Sequence, residues 1–368
     1  MGFRDRPYTA VLIIPTGIGC AMGGYAGDAL PVARALASGV DRLITHPNVL
    51  NGAQLYWPLD NTWYVEGYAL DQFAAGRLAL EPVRQNRVGL LLDAAIEPEL
   101  RLRHLQAADA ARATLGLHLT DYVVTDRPLS VRLNTSEIGA SWGVVEPLDS
   151  LLRAAEKLVT EAGAEAIAVV ARFPDEEPDS PSLQNYRQGQ GVDPIAGAEA
   201  VISHFLVRSL HIPCAHAPAL APLPPDPDLS PRSAAEELGH TFLPCVLVGL
   251  SRAPRYHVIP SSATPPPCVP SPTLTTGAAV DVVIVPESAC GGAAVLHWAS
   301  QGKTIVAVQE NQTALQVPPA ALGISAVTVA SYWEALGYVM ADRAGVDPWS
   351  LRPQSRSLRA WQPPTGKS

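Results

Sequence analysis

Cys290 stands in the stretch PESACGGAAVLHW, where an apolar run gives way to Glu287, Ser288 and the Gly291-Gly292 pair before a helical pattern begins. A thiol at or just before a helix N-terminus meets the positive end of the helix dipole, which lowers its pKa and favours the nucleophilic thiolate. Cys290 is therefore the candidate nucleophile. Glu287 and Asp93, each following an apolar run, are the candidate acid–base carboxylates. His297 lies two helical turns beyond Cys290, roughly 10 Å along the axis, and is read as a packing or surface group.

A second glycine-rich stretch, IPTGIGCAMGGYAGDA at 14–29, has the same logic. Thr16, Gly17, Gly19, Gly23 and Gly24 follow an apolar run, and Asp28 is expected to cap a helix over 28–38 with Pro31 in its first turn. Backbone N–H groups exposed by glycine and backed by a helix N-terminus form an anion cradle. The spacing is neither G-x-G-x-x-G nor the Walker pattern, so no nucleotide cofactor is assigned. The rival reading is a tight crossover that needs glycine for its backbone alone.

Further candidates follow from position. The stretch 45–71 carries His46, Asn48 and Asn51 among turns and aromatic residues, a composition suited to a pocket wall. Ligands of open parallel sheets bind at the C-terminal ends of strands. The residues expected there include Asp126, Arg172, Ser251 with Arg252, and Glu310 with Asn311. The Cys and His of CAH at 214–216 and HTFLPC at 240–245 lack a usual zinc spacing, and no metal site is assigned.

These groups need a scaffold, and the pattern supplies one. Continuous apolar runs near residues 11, 42, 88, 122, 166, 245, 282, 304 and 326 read as strands buried on both faces. Helical stretches at 28–38, 65–76, 97–115, 148–162, 194–209, 291–301 and 331–344 alternate with them. The fold class is therefore α/β, doubly wound, with mostly parallel sheets in two Rossmann-like lobes. The expected divisions are an N-terminal lobe 1–210, a Pro-rich connection 211–280 with one strand near 243–250, a C-terminal lobe 281–350 and a tail 351–368. The segment NYRQGQGVDP, after the acidic stretch at 173–182, is a candidate lid over the crevice.

Composition narrows the partners. A formal charge of −9 without a Lys/Arg run argues against nucleic acid. Apolar stretches fall short of the ~20 residues of a membrane span, and the first fifteen residues lack signal-peptide features. Five cysteines without a C-x-x-C pair read as reduced thiols. A cytoplasmic location is expected, or the plastid stroma in a plastid-bearing source, and self-association is left open.

The strings from IPTGIGCAMGGYAGDALPVARALASG onward, AAIEPELRLRHLQAADAARATLGL, SPRSAAEELGHTFLPCVLVGLSRAP and VPESACGGAAVLHWASQGKTIVAVQEN resemble an uncharacterised family of cyanobacteria and plastid-bearing organisms. The resemblance spans nearly the whole chain and implies a phototroph source without an assigned activity. A looser, local similarity is to two-cysteine aspartate/glutamate-type racemases, with Cys20 and Cys290 in comparable settings.

The expectation drawn from all this is an enzyme of hydrolase, lyase or isomerase type, acting on a small carboxylate or phosphate held by the glycine loops. The alternative is a non-catalytic metabolite- or nucleotide-binding protein, or an assembly partner.

Overall fold

The computed structural model describes all residues except 1–5, 53–54, 138, 176, 178–179, 238–242, 261–273, 355–356, 359 and 361–368. The chain opens with β1 (Thr9–Leu12), α1 (Leu30–Gly39), β2 (Arg42–Thr45), α2 (Pro47–Leu50), β3 (Thr62–Tyr64) and α3 (Gly67–Ala74). After β4 (Leu78–Glu81) come β5 (Val88–Leu92), α4 (Pro98–Leu115), β6 (Leu119–Val124), β7 (Arg132–Thr135), β8 (Ser141–Val144), α5 (Leu148–Thr160) and β9 (Ala166–Arg172). Next are α6 (Pro181–Arg187), α7 (Ala196–Leu210), β10 (Cys214–Ala219), α8 (Pro231–Ala235), α9 (Leu243–Ser251), β11 (Arg255–Val258) and β12 (Thr275–Thr276). The last stretch holds β13 (Val282–Pro286), α10 (Ala293–Ser300), β14 (Thr304–Val308), α11 (Pro319–Leu322), β15 (Val327–Val329) and α12 (Tyr332–Arg343).

The principal sheet is six-stranded and parallel, in the order β3-β2-β1-β13-β14-β15. Counted within the sheet this is 3-2-1-4-5-6, the doubly wound order whose ligand crevice lies where the winding reverses. Here that point falls between β1 and β13, paired through Ala10–Val282, Val11–Val283 and Leu12–Ile284. The sheet thus takes strands from both of the lobes expected at 1–210 and 281–350.

The part that stands apart is an insertion between α3 and β13. Its own parallel sheet runs β10-β9-β5-β6. At its root, β4 leaving the first sheet pairs antiparallel with β11 and β12 returning. Hairpin β7–β8 extends from the insertion and meets the first sheet's leading loop, where Ser141 N–H donates to the Gly17 carbonyl at 2.9 Å.

Side-chain alternation along the strands feeds two apolar layers. Leu12, Ile284 and Leu92 join one, with Leu36 of α1, Val339 of α12 and Leu247 of α9. Val11, Val283 and Leu91 join the other, with Phe73 of α3, Trp298 of α10 and Ile202 of α7. Phe73 and Trp298 meet edge to face at 6.1 Å, and the Trp298 indole N–H donates to the Gly277 carbonyl at 3.1 Å. Burial on both faces explains why these strands read as continuous apolar runs.

One expected element changes type. The run LPCVLVGLS near 243–250, expected as a strand, is helix α9, buried along almost its whole length between α4 and the insertion's sheet. An enclosed helix and an enclosed strand share the same apolar pattern, and periodicity alone does not separate them.

Candidate functional site

The glycine loop between β1 and α1 is pinned from inside by the residues expected to bind a ligand. Asn48 Nδ2 donates to the Gly23 carbonyl at 2.8 Å, and Asn311 both accepts from Met22 N–H and donates to the Met22 carbonyl, each at 2.9 Å. His46 Nε2 accepts from Ile14 N–H at 2.9 Å, and burial pushes the imidazole down to about 4, so it is neutral at pH 7. Asn51 accepts from the Tyr64 hydroxyl at 2.8 Å.

Asp28 does not cap α1. The cap position is Ala29 with no side-chain bond, while Asp28 Oδ1 turns back to accept from Gly23 N–H at 2.6 Å and Oδ2 meets Arg232 at 3.1 Å. Burial raises this carboxyl to about 6, against the opposing pull of Arg232. The loop therefore carries an internal carboxylate where an anion cradle would keep its donors open.

Two glycines are required by crowding. A Cβ on Gly23, at φ +88°, would stand 2.4 Å from Ile14 Cγ2, and one on Gly19, at φ +61°, would stand 2.7 Å from the Gly191 carbonyl oxygen. The loop is threaded between its own strand and the insertion. Thr16, Gly17 and Gly24 lie on the same loop.

The second loop, between β13 and α10, also differs from expectation. Cys290 is fully buried, with Sγ 3.7 Å from the Pro286 carbonyl oxygen and its N–H donated to Val317. Burial, with Glu287 adding to it, pushes the thiol up to about 11. The helix begins only at Ala293, and its Ala294 N–H is already taken by Asp71 Oδ1 at 2.9 Å. Cys290 is thus a protonated packing group, and the activated thiolate expected from its position is corrected.

Cys20 is likewise buried, pushed up to about 12, with Sγ 3.1 Å from the Pro15 carbonyl oxygen. It belongs to the apolar layer opposite that of Cys290, so the two thiols do not share a site. Native protein at pH 7.5 is expected to leave Cys20, Cys214, Cys245 and Cys290 unlabelled by an aromatic disulfide reagent, all four reacting in denaturant. Rapid native labelling of Cys290 would restore the nucleophile reading. Ser288 meets Thr313 hydroxyl to hydroxyl at 2.8 Å, a Cβ on Gly291 would stand 3.1 Å from Val317, and Gly292 is the exposed cap of α10. Glu310 accepts from Tyr332 N–H at 2.7 Å.

The remaining strand-end residues sit at the insertion's sheet. Asp93 is fully buried and accepts from Ala95 and Leu129 N–H at 2.9 Å and from Arg172 N–H at 3.1 Å, which makes it a turn anchor. Burial raises its carboxyl, opposed by those three N–H groups. The Arg172 guanidinium is spent on Glu97 and Asp175, and Asp126 is bonded to Ser150 and Arg153. Ser251 and Arg252 follow α9 rather than a strand, with Arg252 3.4 Å from Asp60 at the surface. These residues do not join the two glycine loops of the first sheet.

What the sequence did not single out is the cavity itself. A space of about 230 Å³ opens beside the switch point, lined by Gly19, Cys20, Ala21, Gly24 and Tyr25 after β1, by Gln312 and Thr313 after β14, and by Tyr186, Gly189 and Gly191 of the insertion. Tyr25 and Tyr186 pack at 4.6 Å, and the Tyr25 hydroxyl donates to the Tyr186 carbonyl at 2.8 Å. The Tyr186 hydroxyl donates to Glu236 Oε2 at 2.8 Å, and Ala26 N–H donates to the same oxygen at 2.6 Å. Burial pushes the Glu236 carboxyl up to about 7, with Glu199 and Asp28 adding to the rise.

The segment expected as a lid thus supplies one wall. Arg187 beside it is almost fully buried and bonded to Glu237 at 2.7 Å and to the Pro224 carbonyl at 2.7 Å. A larger groove of about 570 Å³ lies on the outer face of α1, where Arg34 stacks on Trp57 at 3.6 Å, remote from the loops at the switch point. Glu236 escaped notice because its partners are Ala26, 210 residues away, and Tyr186, 50 residues away. Among the described residues no group of three or more His, Cys, Asp or Glu is placed to hold a metal; His240 and Cys268 lie outside them. No helix among them is long and apolar enough to cross a membrane.

An uncharacterized lipoprotein of Synechococcus sp. is 61% identical over 353 residues, 96% of each chain. No solved structure matches. Residues 9–352 match the family described as protein of unknown function DUF3326, and the chain belongs to that family.

Proposed function

We propose that this protein is an enzyme of small-molecule metabolism that works by acid–base chemistry on a compact metabolite held between the loops after β1 and β14, beside the switch point. The observation that carries the reading is the Tyr186–Glu236 hydrogen bond in the wall of a cavity at the place where doubly wound sheets take their ligands. An acid–base group is most effective when its pKa lies near the working pH. Glu236, held at about 7, satisfies that, and Tyr186 connects it to the cavity.

While Glu236 is ionised it accepts the Tyr186 hydrogen. A proton arriving on Glu236 reverses that bond and frees the phenol hydrogen for a ligand atom. Burial and the nearby Glu236 charge hold the Tyr186 phenol well above its usual pKa, so it acts as a donor rather than a standing phenolate. Isomerase and lyase steps need this kind of proton movement and no covalent nucleophile, which suits a protein whose described thiols are buried.

A thermal-shift screen of small metabolites, followed by turnover assays on those that stabilise the protein, tests this. Tyr186→Phe is expected to keep ligand binding within a few-fold and to lower turnover by about 10²-fold or more, the usual share of general acid–base catalysis. Ligand that binds wild type at the cavity and is recovered unchanged after prolonged incubation would replace the enzyme with a binding protein. That second reading is favoured by the engagement of Cys290 and Asp93 in packing and turns. A cytoplasmic or stromal location belongs to the same proposal, supported by free thiols at Cys20, Cys214 and Cys290. Recovery of the chain in the membrane fraction of its source cell would overturn it.

A further inference from the structure

We infer that the occupant of the switch-point cavity is an uncharged, planar heterocycle, a nucleobase or its nucleoside, and not an anion. The inference rests on the cavity being the ligand site. Size comes first: about 230 Å³ lies below the ~300 Å³ at which ordinary ligand pockets begin, room for one ring system and not for a dinucleotide.

Charge comes second. The side chains of the wall that carry polar groups are the neutral Tyr25, Tyr186, Gln312 and Thr313. Behind them the nearby guanidinium groups are already committed, Arg232 to Asp28 at 3.1 Å and Arg187 to Glu237 at 2.7 Å. A bound phosphate or carboxylate would gain no cation and would stand beside the Asp28 carboxylate.

Shape and hydrogen bonding come third. While Glu236 is ionised the hydroxyls of Tyr25 and Tyr186 are engaged by the Tyr186 carbonyl and by Glu236, so these residues offer the cavity mainly ring surface, with the Tyr186 hydrogen available to a ligand edge once Glu236 is protonated. Gly19, Gly24, Gly189 and Gly191 contribute bare backbone. Aromatic surface stacks a flat ring, and exposed peptide groups pair with the donors and acceptors along its edge. A β2 end reading Thr45-His46, with His46 bonded into the loop, supplies no carboxylate for a dinucleotide ribose.

The test is hydrogen exchange and thermal shift on the full chain with adenosine, guanosine, cytidine and uridine, set against inorganic phosphate, citrate, ribose 5-phosphate and putrescine. At least one nucleoside is expected to bind saturably and to slow exchange at 19–25 and 186–191, with the charged probes inert. Ala21→Trp, at an exposed wall position, is expected to fold normally and to weaken that binding at least tenfold by filling the cavity. Protection of the same segments by phosphate, citrate, ribose 5-phosphate or putrescine, with nucleosides inert, overturns the ligand class while leaving the site in place. Absence of protection by every probe, or protection unchanged in Ala21→Trp, overturns the ligand class together with the site.

Discussion

Gly23→Val is expected to destabilise the fold by about 2–5 kcal/mol, combining ~1–2 kcal/mol for a left-handed backbone with a Cβ and ~1–3 kcal/mol for overpacking. The residue sits at φ +88° and the new Cβ would press within 2.4 Å of Ile14 Cγ2 in the buried layer. Asp28 accepts the Gly23 N–H and Asn48 donates to its carbonyl, so the loop has little freedom to swing the new side chain outward. Gly292→Ala is the matched control, because a Cβ there meets nothing within 4 Å and the backbone is ordinary at φ −65°. It is expected to cost no more than about 1 kcal/mol, the difference between glycine and alanine at a helix N-cap. Urea unfolding of both variants decides the matter. A Gly23→Val protein of wild-type stability that had lost ligand binding would make the loop a cradle first and a crossover second.

The second large effect is a fall in stability as pH rises. Glu236 has an unfolded value of 4.5 and a folded value of about 7, so between those values the native state holds a proton that the unfolded chain has released. Stability is therefore greatest on the acid side and is lost as pH climbs through 7, by on the order of 3 kcal/mol in total. Asp28, raised from 3.8 to about 6, slopes the same way at lower pH. His46 opposes both, because its folded value of about 4 lies below the unfolded 6.5 and its contribution is lost as pH falls.

Between pH 6.5 and 7.5 Asp28 has largely finished titrating, whereas His46, half protonated in the unfolded chain at 6.5, still opposes the decline by about half the Glu236 contribution. Glu236 then dominates, joined by His204, which Glu66 holds above its usual value and which slopes in the same direction. Chemical denaturation of wild type across that window is expected to show a decline in which the Glu236 share is roughly 0.7 kcal/mol, partly offset by His46. Glu236→Gln is expected to flatten most of it while His204→Gln removes the smaller share. A slope unchanged in Glu236→Gln would mean that this carboxyl is ionised throughout.

Most of the scaffold was legible because it is written in local patterns. Runs such as VLII at 11, VGLLL at 88 and DVVIVP at 281 are strands enclosed on both faces, and the seven helical stretches fall within a few residues of their expected ends. The error at 243–251 arose where enclosure erases periodicity; Pro244 in the first turn and a length of nine residues were the signals for a helix. The candidate site was much less legible. Polar residues at strand ends look alike whether they await a ligand or hold a turn, and Asn48, Asn311 and Asp93 hold turns. Tyr25 and Tyr186 become a pair only because the insertion folds back over the first loop, a contact spanning 161 residues that no local window contains.

The pairing of β1 with β13 sets the order in which this molecule can be built on a ribosome. At synthesis of residue 276 the insertion's sheet has all its strands, whereas β1 still presents an open edge to the cell. The first sheet closes only when residues 282–329 emerge, joining partners some 270 positions apart, a slow kind of closure that leaves apolar strands exposed meanwhile. The crevice is consequently among the last parts of the molecule to exist, and nascent chains stalled before residue 282 carry its glycine loop without the neighbouring strand that gives it a shape.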